Sequence, residues 1–255
     1  MRFHVLIATI GRKSIFYMLK SLKDELSNDD FLTIVYDDWE RQPHTTHIIT
    51  SKIVIYRFNS KWVAVLNDKD INNTKHEVEE YIKNFKCKTN IIWQSPNLGY
   101  FGHAIRQKYK DLEGDFILHA DDDNLYFPGS FTKLRQICVN KNTLYLFSVL
   151  NIVIYNIRNY ETTKEKFKEK LDSNFNILKT LNEFIYKKDF IPEYRIQPTS
   201  WFDTGMGVIP AYLNKLGTWG LYGGGDVTFY ESIIDKTKNI EFINICIYMY
   251  TDTLK

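Results

Sequence analysis

Cysteine is scarce: Cys87, Cys138 and Cys246 are the whole complement, widely separated and without a metal-ligand cadence. That spacing argues against a disulfide framework, and reduced, buried thiols are the expected alternative. An excess of one charge is also missing, since 33 Lys and Arg face 31 Asp and Glu for a net charge of +2. No long-range field therefore favours a nucleic-acid partner. No apolar run approaches the roughly 18 residues of a membrane helix, so no integral membrane segment is expected. The opening stretch MRFHVLIATIGRKS carries an apolar run too short and too early for a secretory leader. These absences point to a cytoplasmic protein, with peripheral attachment to a membrane left open. The six histidines are scattered, without the helical pairing of a zinc hydrolase. Neither a fixed-period repeat nor a long Pro/Gly linker divides the chain.

What is present is a composition of 44% hydrophobic and 25% charged residues, that of a globular protein with a substantial core. FHVLIATIG reads as a buried strand, and SIFYMLKSLKDEL changes to helical spacing through Ile15, Met18, Leu19, Leu22 and Leu26. FLTIVYDD and KIVIYRF are further strands. Thr74 and Glu77 form a candidate capping box for a helix carrying Val78, Tyr81, Ile82 and Phe85. TNIIWQ returns to strand character, YFGHAIRQKYK to helix, DFILHA to strand and FTKLRQIC to helix. This alternation predicts an α/β fold, a mostly parallel central sheet flanked by helices, with the site at the strands' carboxyl ends. Residues 143 to 155 read as one long strand or a pair. Residues 161 to 190 read as surface helices with a stripe of Phe167, Leu171, Leu178, Leu181 and Ile185.

The most informative stretch is FILHADDDNLYFPG, residues 116 to 129, where a buried strand delivers Asp121, Asp122 and Asp123. Adjacent carboxylates repel, so the triplet is either a solvated turn or a site for a divalent cation and, through it, a phosphate-bearing substrate. Asn124 is a candidate loop cap, and His119 a buried, hydrogen-bonded histidine. Asp226 follows a GGG turn and precedes VTFYESI, where it is a candidate cap of that helix.

Taken in order, these motifs resemble a nucleotide-sugar glycosyltransferase of the GT-A type, closest in style to the family-2 group, over about residues 3 to 235. The resemblance implies a Rossmann-like GT-A fold: one catalytic domain over 1–255, with a nucleotide-sugar-binding part at 1–130 and an acceptor-side elaboration at 131–255. It implies that Thr9, Gly11 and Arg12 of the first loop, and Asp37 or Asp38 after the second strand, contact the nucleotide. NLGYFGHAIRQ resembles the family's Asn-x-Gly segment, which brings Asn97 and Gly99 to the nucleotide and leaves Arg106 as a phosphate contact or an ordinary solvent-facing arginine. The Asp-x-Asp signature matches Asp121 and Asp123, with Mn²⁺ or Mg²⁺ as the implied ion; Asp123 is the leading direct ligand, and Asp121 either holds the ion directly or through water or contacts the donor's sugar or ribose. Asp122 between them either faces sugar hydroxyls or bonds its own loop.

WGLYGGGDVTFYESI resembles the late segment whose last acid is the base of inverting enzymes; Gly225 stands where the first acid is usual, so Asp226 alone keeps that role. Toward the acceptor, Trp201 stacks on a sugar or joins the core, Asp203 orients a hydroxyl, Gly205 and Gly207 admit the donor sugar, and Trp219 and Tyr222 form a rim. The implied reaction is inverting, metal-dependent transfer of a hexose-like sugar from a UDP-linked donor to a glycan or other hydroxyl acceptor. The alternatives are a nucleotidyltransferase of similar fold and a catalytically inactive sugar-binding or scaffolding module.

Overall fold

Strand β1 (Phe3–Thr9) is buried along its whole length, and a strand without an exposed face must run inside a sheet covered on both sides. In the computed structural model, which describes residues 1–37, 48–49, 53–58, 61–66, 74–154, 160–187, 190–195 and 202–250, it does so. Strands β2 (Phe31–Asp37) and β7 (Phe116–Asp121) flank it, both parallel, and β6 (Lys88–Gln94) continues the parallel set beyond β2. The connections between them carry α1 (Ile15–Leu22), α2 (Thr74–Ile82) and α3 (His103–Lys108). Ile15, Met18, Leu19 and Leu22 turn one face of α1 onto the core, as their helical spacing requires. The Thr74 hydroxyl donates to the Gly11 carbonyl at 2.9 Å, tying the start of α2 to the loop after β1.

Beyond β7 the sheet changes direction. Strand β11 (Gly207–Pro210) is antiparallel to β7 on one side and to β9 (Leu144–Ile154) on the other. Strand β12 (Ile240–Tyr250) runs parallel to β9 and antiparallel to the short β8 (Leu125–Tyr126), while β10 (Phe190–Arg195) is antiparallel to β9. Helices α4 (Ser130–Ile137), α7 (Ala211–Leu216) and α8 (Gly225–Ile234) complete this half. Main-core residues come from Phe3 through Tyr248, so β1, β7, β9 and β12 share one interior. A separate antiparallel sheet is formed by β3 (Ile48–Ile49), β4 (Ile53–Phe58) and β5 (Lys61–Leu66); only β4 was expected from the sequence.

Helices α5 (Tyr160–Asn174) and α6 (Ile177–Tyr186) occupy the Lys/Glu-rich stretch. Their buried stripe is Phe167, Leu171, Ile177, Leu181 and Phe184, packed with Tyr17, Leu125 and Leu150. Leu178, expected in that stripe, is exposed. The reason is a break at Phe175, whose φ of 43° ends the first helix, so the second starts in a new phase. Cys87 and Cys138 are buried, Cys246 is half-buried, and all three are unpaired. Among the described residues, no helix is long and apolar enough to cross a membrane.

Candidate active site

The register of the parallel strands brings their acidic ends together. Ala8 of β1 lies opposite Asp121 of β7, Thr9 opposite Tyr36 of β2, and Asp37 opposite Gln94 of β6. Ligand sites of open α/β sheets form at this carboxyl edge. Asp121 ends β7, and its backbone N–H donates to the Tyr248 hydroxyl at 3.2 Å. Asp122 accepts from the Thr9 hydroxyl at 2.5 Å and from Arg12 at 3.2 Å, while Asp123 accepts from the same guanidinium at 3.3 Å. Asp122 is thereby drawn into its loop contacts. The Thr9 hydroxyl also accepts from the Gly11 amide at 2.9 Å, so the first loop is built around the triplet. Asn124 donates to Asp121 at 3.4 Å.

Two arginines answer the repulsion among the three acids. Arg12 bridges Asp122 and Asp123 from a half-exposed position. Arg106 is 0% exposed, which corrects both expectations for it: it is neither solvent-facing nor open to a phosphate. One of its terminal nitrogens donates to Asp121 at 2.5 Å and to the Ala120 carbonyl at 3.0 Å, and the other to the Phe101 carbonyl at 3.3 Å. Its guanidinium also lies 5.4 Å from the Trp219 ring centroid. A buried arginine is tolerated only with a carboxylate and several acceptors of this kind. Asp37 accepts the Leu98 and Gly99 amides, each at 2.8 Å, and so clamps the Asn-x-Gly turn containing the buried Asn97.

Asp226 enters from the other half of the chain, in the first turn of α8. Gly224, at φ 116°, holds the cap position, so Asp226 is not the cap. Its carboxylate accepts the Val227 amide at 3.0 Å. Burial above all, with the charge of Asp121 adding to it, holds its carboxyl above the usual aspartate range, while Arg106 acts in the opposite sense. Gly225 is required here, because a Cβ at that position would stand 2.3 Å from the His103 Nδ1. His103 shares a hydrogen bond with the Tyr222 carbonyl at 2.9 Å and stacks on Trp219 at 5.5 Å. Burial foremost, then Arg106, pulls its pKa down to about 4, so it is neutral near pH 7 and pins the 220–225 loop to α3. Sequence reasoning passed over His103, and its only signal was its place within NLGYFGHAIRQ.

Several expected acceptor-side residues lie elsewhere. Trp219 is 2% exposed, stacked on Phe229 at 4.3 Å, and belongs to the core rather than to a rim. Gly205 and Gly207 do not open toward a sugar: added Cβ atoms would meet the Tyr248 ring at 2.1 Å and the Tyr230 hydroxyl at 2.5 Å. These two glycines let the turn pack against tyrosines. Asp203 is buried and accepts the Gly205 amide at 3.0 Å, capping the 204–206 turn. Tyr222 is exposed. His119 is buried and bonded to Asn214 at 2.8 Å as expected, its pKa lowered to about 3 chiefly by burial. Asp38 and Trp201 lie outside the described residues.

Among the described residues, no three His, Cys, Asp or Glu side chains converge as a cage for an ion. Asp121 and Asp123 are nonetheless hard oxygen donors. One or two carboxylates fit Mg²⁺ or Mn²⁺ when phosphate oxygens complete the shell.

The chain is similar in structure to TarS of S. aureus. TarS 1-349 superposes with a TM-score of 0.55 at 14% identity, over 98% of this chain and 60% of that one. The same fragment solved in complex with UDP gives 0.56 at 14%, over 98% and 60%. Its complex with UDP-GlcNAc gives 0.56 at 15%, over 99% and 59%. This chain therefore spans about three fifths of the TarS fragment's length. No family model and no curated protein matches the sequence. With a parallel β6-β2-β1-β7 set, an antiparallel β11 insertion and flanking helices, the chain has the GT-A glycosyltransferase fold.

Proposed function

We propose that this protein is an inverting glycosyltransferase that moves a sugar from a UDP-linked donor to a hydroxyl of a glycan or similar acceptor. The observation that carries the reading is that α3 links the surroundings of the two acids: its Arg106 binds Asp121 at the end of β7, and its His103 bonds the Tyr222 carbonyl in the loop leading into Asp226. The fold shared with a protein solved with UDP and with UDP-GlcNAc supports the donor class.

In this reading the acceptor oxygen forms a bond to the anomeric carbon while the bond from that carbon to the diphosphate oxygen breaks on the opposite face. The acceptor proton passes to the Asp226 carboxylate, and UDP leaves. A carboxyl held above its ordinary pKa is a better proton acceptor in that transition state. Arg106 fixes the orientation of Asp121, and Arg12 offsets the charge of Asp122 and Asp123. Asp121 and Asp123 would hold Mg²⁺ or Mn²⁺, which when bound neutralises charge on the diphosphate. Thr9, Gly11, Asp37, Asn97 and Gly99 line the nucleotide side. We place the activity in the cytoplasm, in keeping with three unpaired thiols.

Calorimetry with UDP, with and without Mn²⁺, followed by a UDP-sugar panel read by mass spectrometry, tests this. Metal-dependent UDP binding and sugar transfer are expected. Asp226→Asn should lower turnover by about 10²- to 10⁴-fold while its circular-dichroism melt stays cooperative and no lower than that of wild type. Unchanged turnover in that variant would remove Asp226 as the base.

A further inference from the structure

The loop between β6 and α3 does something that bulky side chains avoid. Gly99, Tyr100, Phe101 and Gly102 stand consecutively at φ 70°, 58°, 56° and 81°. Glycine adopts such angles freely, whereas an aromatic residue there is a true outlier, and such outliers gather at functional sites. Phe101 is in addition 72% exposed, and Tyr100 is exposed beside it. Neither burial nor backbone ease accounts for a phenylalanine at this position.

The turn is held rigid by the machinery of the site. Asp37 clamps its entry through the Leu98 and Gly99 amides, and Arg106 holds the Phe101 carbonyl with the guanidinium that binds Asp121. Phe101 reaches the opposite loop: a Cβ on Gly223 would lie 3.6 Å from its Cε2. That loop exposes Tyr222, whose ring packs over Gly220 and Gly224 and whose hydroxyl bonds Thr228. Two exposed aromatic rings thus flank the segment that leads into Asp226.

A pyranose presents one face of C–H bonds and an edge of hydroxyls, so it is bound by flat aromatic carbon next to carboxylates. We infer that Phe101 and Tyr222 are the aromatic walls of the acceptor subsite, taking the C–H face of a pyranose acceptor whose hydroxyl reaches Asp226. This rests on the glycosyltransferase reading and adds to it the class of acceptor and the residue that stacks on it. The approach of Phe101 to Gly223, in the loop that leads into Asp226, associates it with the acceptor.

The test uses the full chain, saturation-transfer NMR with methyl α- and β-glucopyranoside and N-acetylglucosamine as probes, and calorimetry with UDP. Wild type should transfer saturation to ring C–H protons of at least one probe. Phe101→Ala should weaken that binding about 3- to 10-fold, Phe101→Trp should retain it, and UDP affinity should stay within about twofold in both variants. Phe101→Gly should lose the probe yet melt about 2–4 °C higher, because glycine relieves the backbone. The inference is overturned if Phe101→Ala leaves probe binding unchanged, if it weakens UDP to the same extent, or if wild type binds UDP but none of the glycosides. Glycoside binding lost in Phe101→Ala, in a protein that never binds UDP, would sustain the platform and sink the transferase.

Discussion

Two arginine–aspartate pairs sit at opposite ends of the same sheet, and they are built in reverse. At one end Asp30 is 0% exposed and accepts from the Phe3 amide, the Ser27 amide and hydroxyl, and Arg135, whose own side chain is 30% exposed. At the other end Arg106 is the fully buried partner, and the Asp121 side chain is 28% exposed toward the cleft. Asp30 has its lone pairs satisfied by main chain and staples the start of β1 to α4. Asp121 has one oxygen held by Arg106 and the other by only a long 3.4 Å bond from Asn124, and its side chain stays partly exposed. The same chemical pair closes a structure when the acid is inside and presents a reactive group when the arginine is inside.

The comparison breaks most visibly in stability. Arg106→Met removes a charge whose partner stays in place, and about 3–5 kcal/mol of unfolding free energy should be lost in a urea titration. Arg135→Met, on a half-exposed arginine whose partner keeps three other donors, should lose only about 1–2 kcal/mol. Equal losses would mean that the two pairs are structurally equivalent. The next effect is on catalysis: Asp121→Asn should reduce turnover by about 10²- to 10³-fold. Asp30→Asn should leave turnover per folded molecule within about twofold, which active-site titration measures, because nothing at the reacting centre has changed.

The smallest effect concerns pH. Asp226 has its folded pKa raised above the ordinary 3.8. Its contribution to stability is therefore fully present below pH 3.8 and is lost as pH rises through the raised value. Asp226→Asn should then melt above wild type at pH 7, with the gap closing toward pH 3.8, as scanning calorimetry across pH would read. An advantage that persists in acid would assign the gain to something other than the buried charge.

The order of elements from β1 to α4, apart from β3, β5 and β8, was legible because it rests on local rules. The seven apolar residues of β1, the helical spacing of Ile15 to Leu22 and the acids closing DFILHA need no distant partner to be recognised. Leu178 was misplaced because a left-handed residue at 175 reset a helical phase that periodicity had carried through. The glycines at 205 and 207 were misread because a glycine looks the same in sequence whether a ligand or a tyrosine ring approaches it. Trp219 was misread similarly: an amphipathic residue in a loop gives no sign of which ring it will stack on.

By itself, then, the sequence determined the alternation of strands and helices, the carboxylates at the end of β7 and the lone acid after three glycines, since each is written in contiguous residues. Only the tertiary structure decided that Arg106 lies inside, that His103 pins the 220–225 loop and that Phe101 reaches Gly223. Two of those outcomes join groups more than a hundred residues apart, as between His103 and Tyr222. The strength of each depends on how far the fold excludes water from it, a quantity no local pattern encodes.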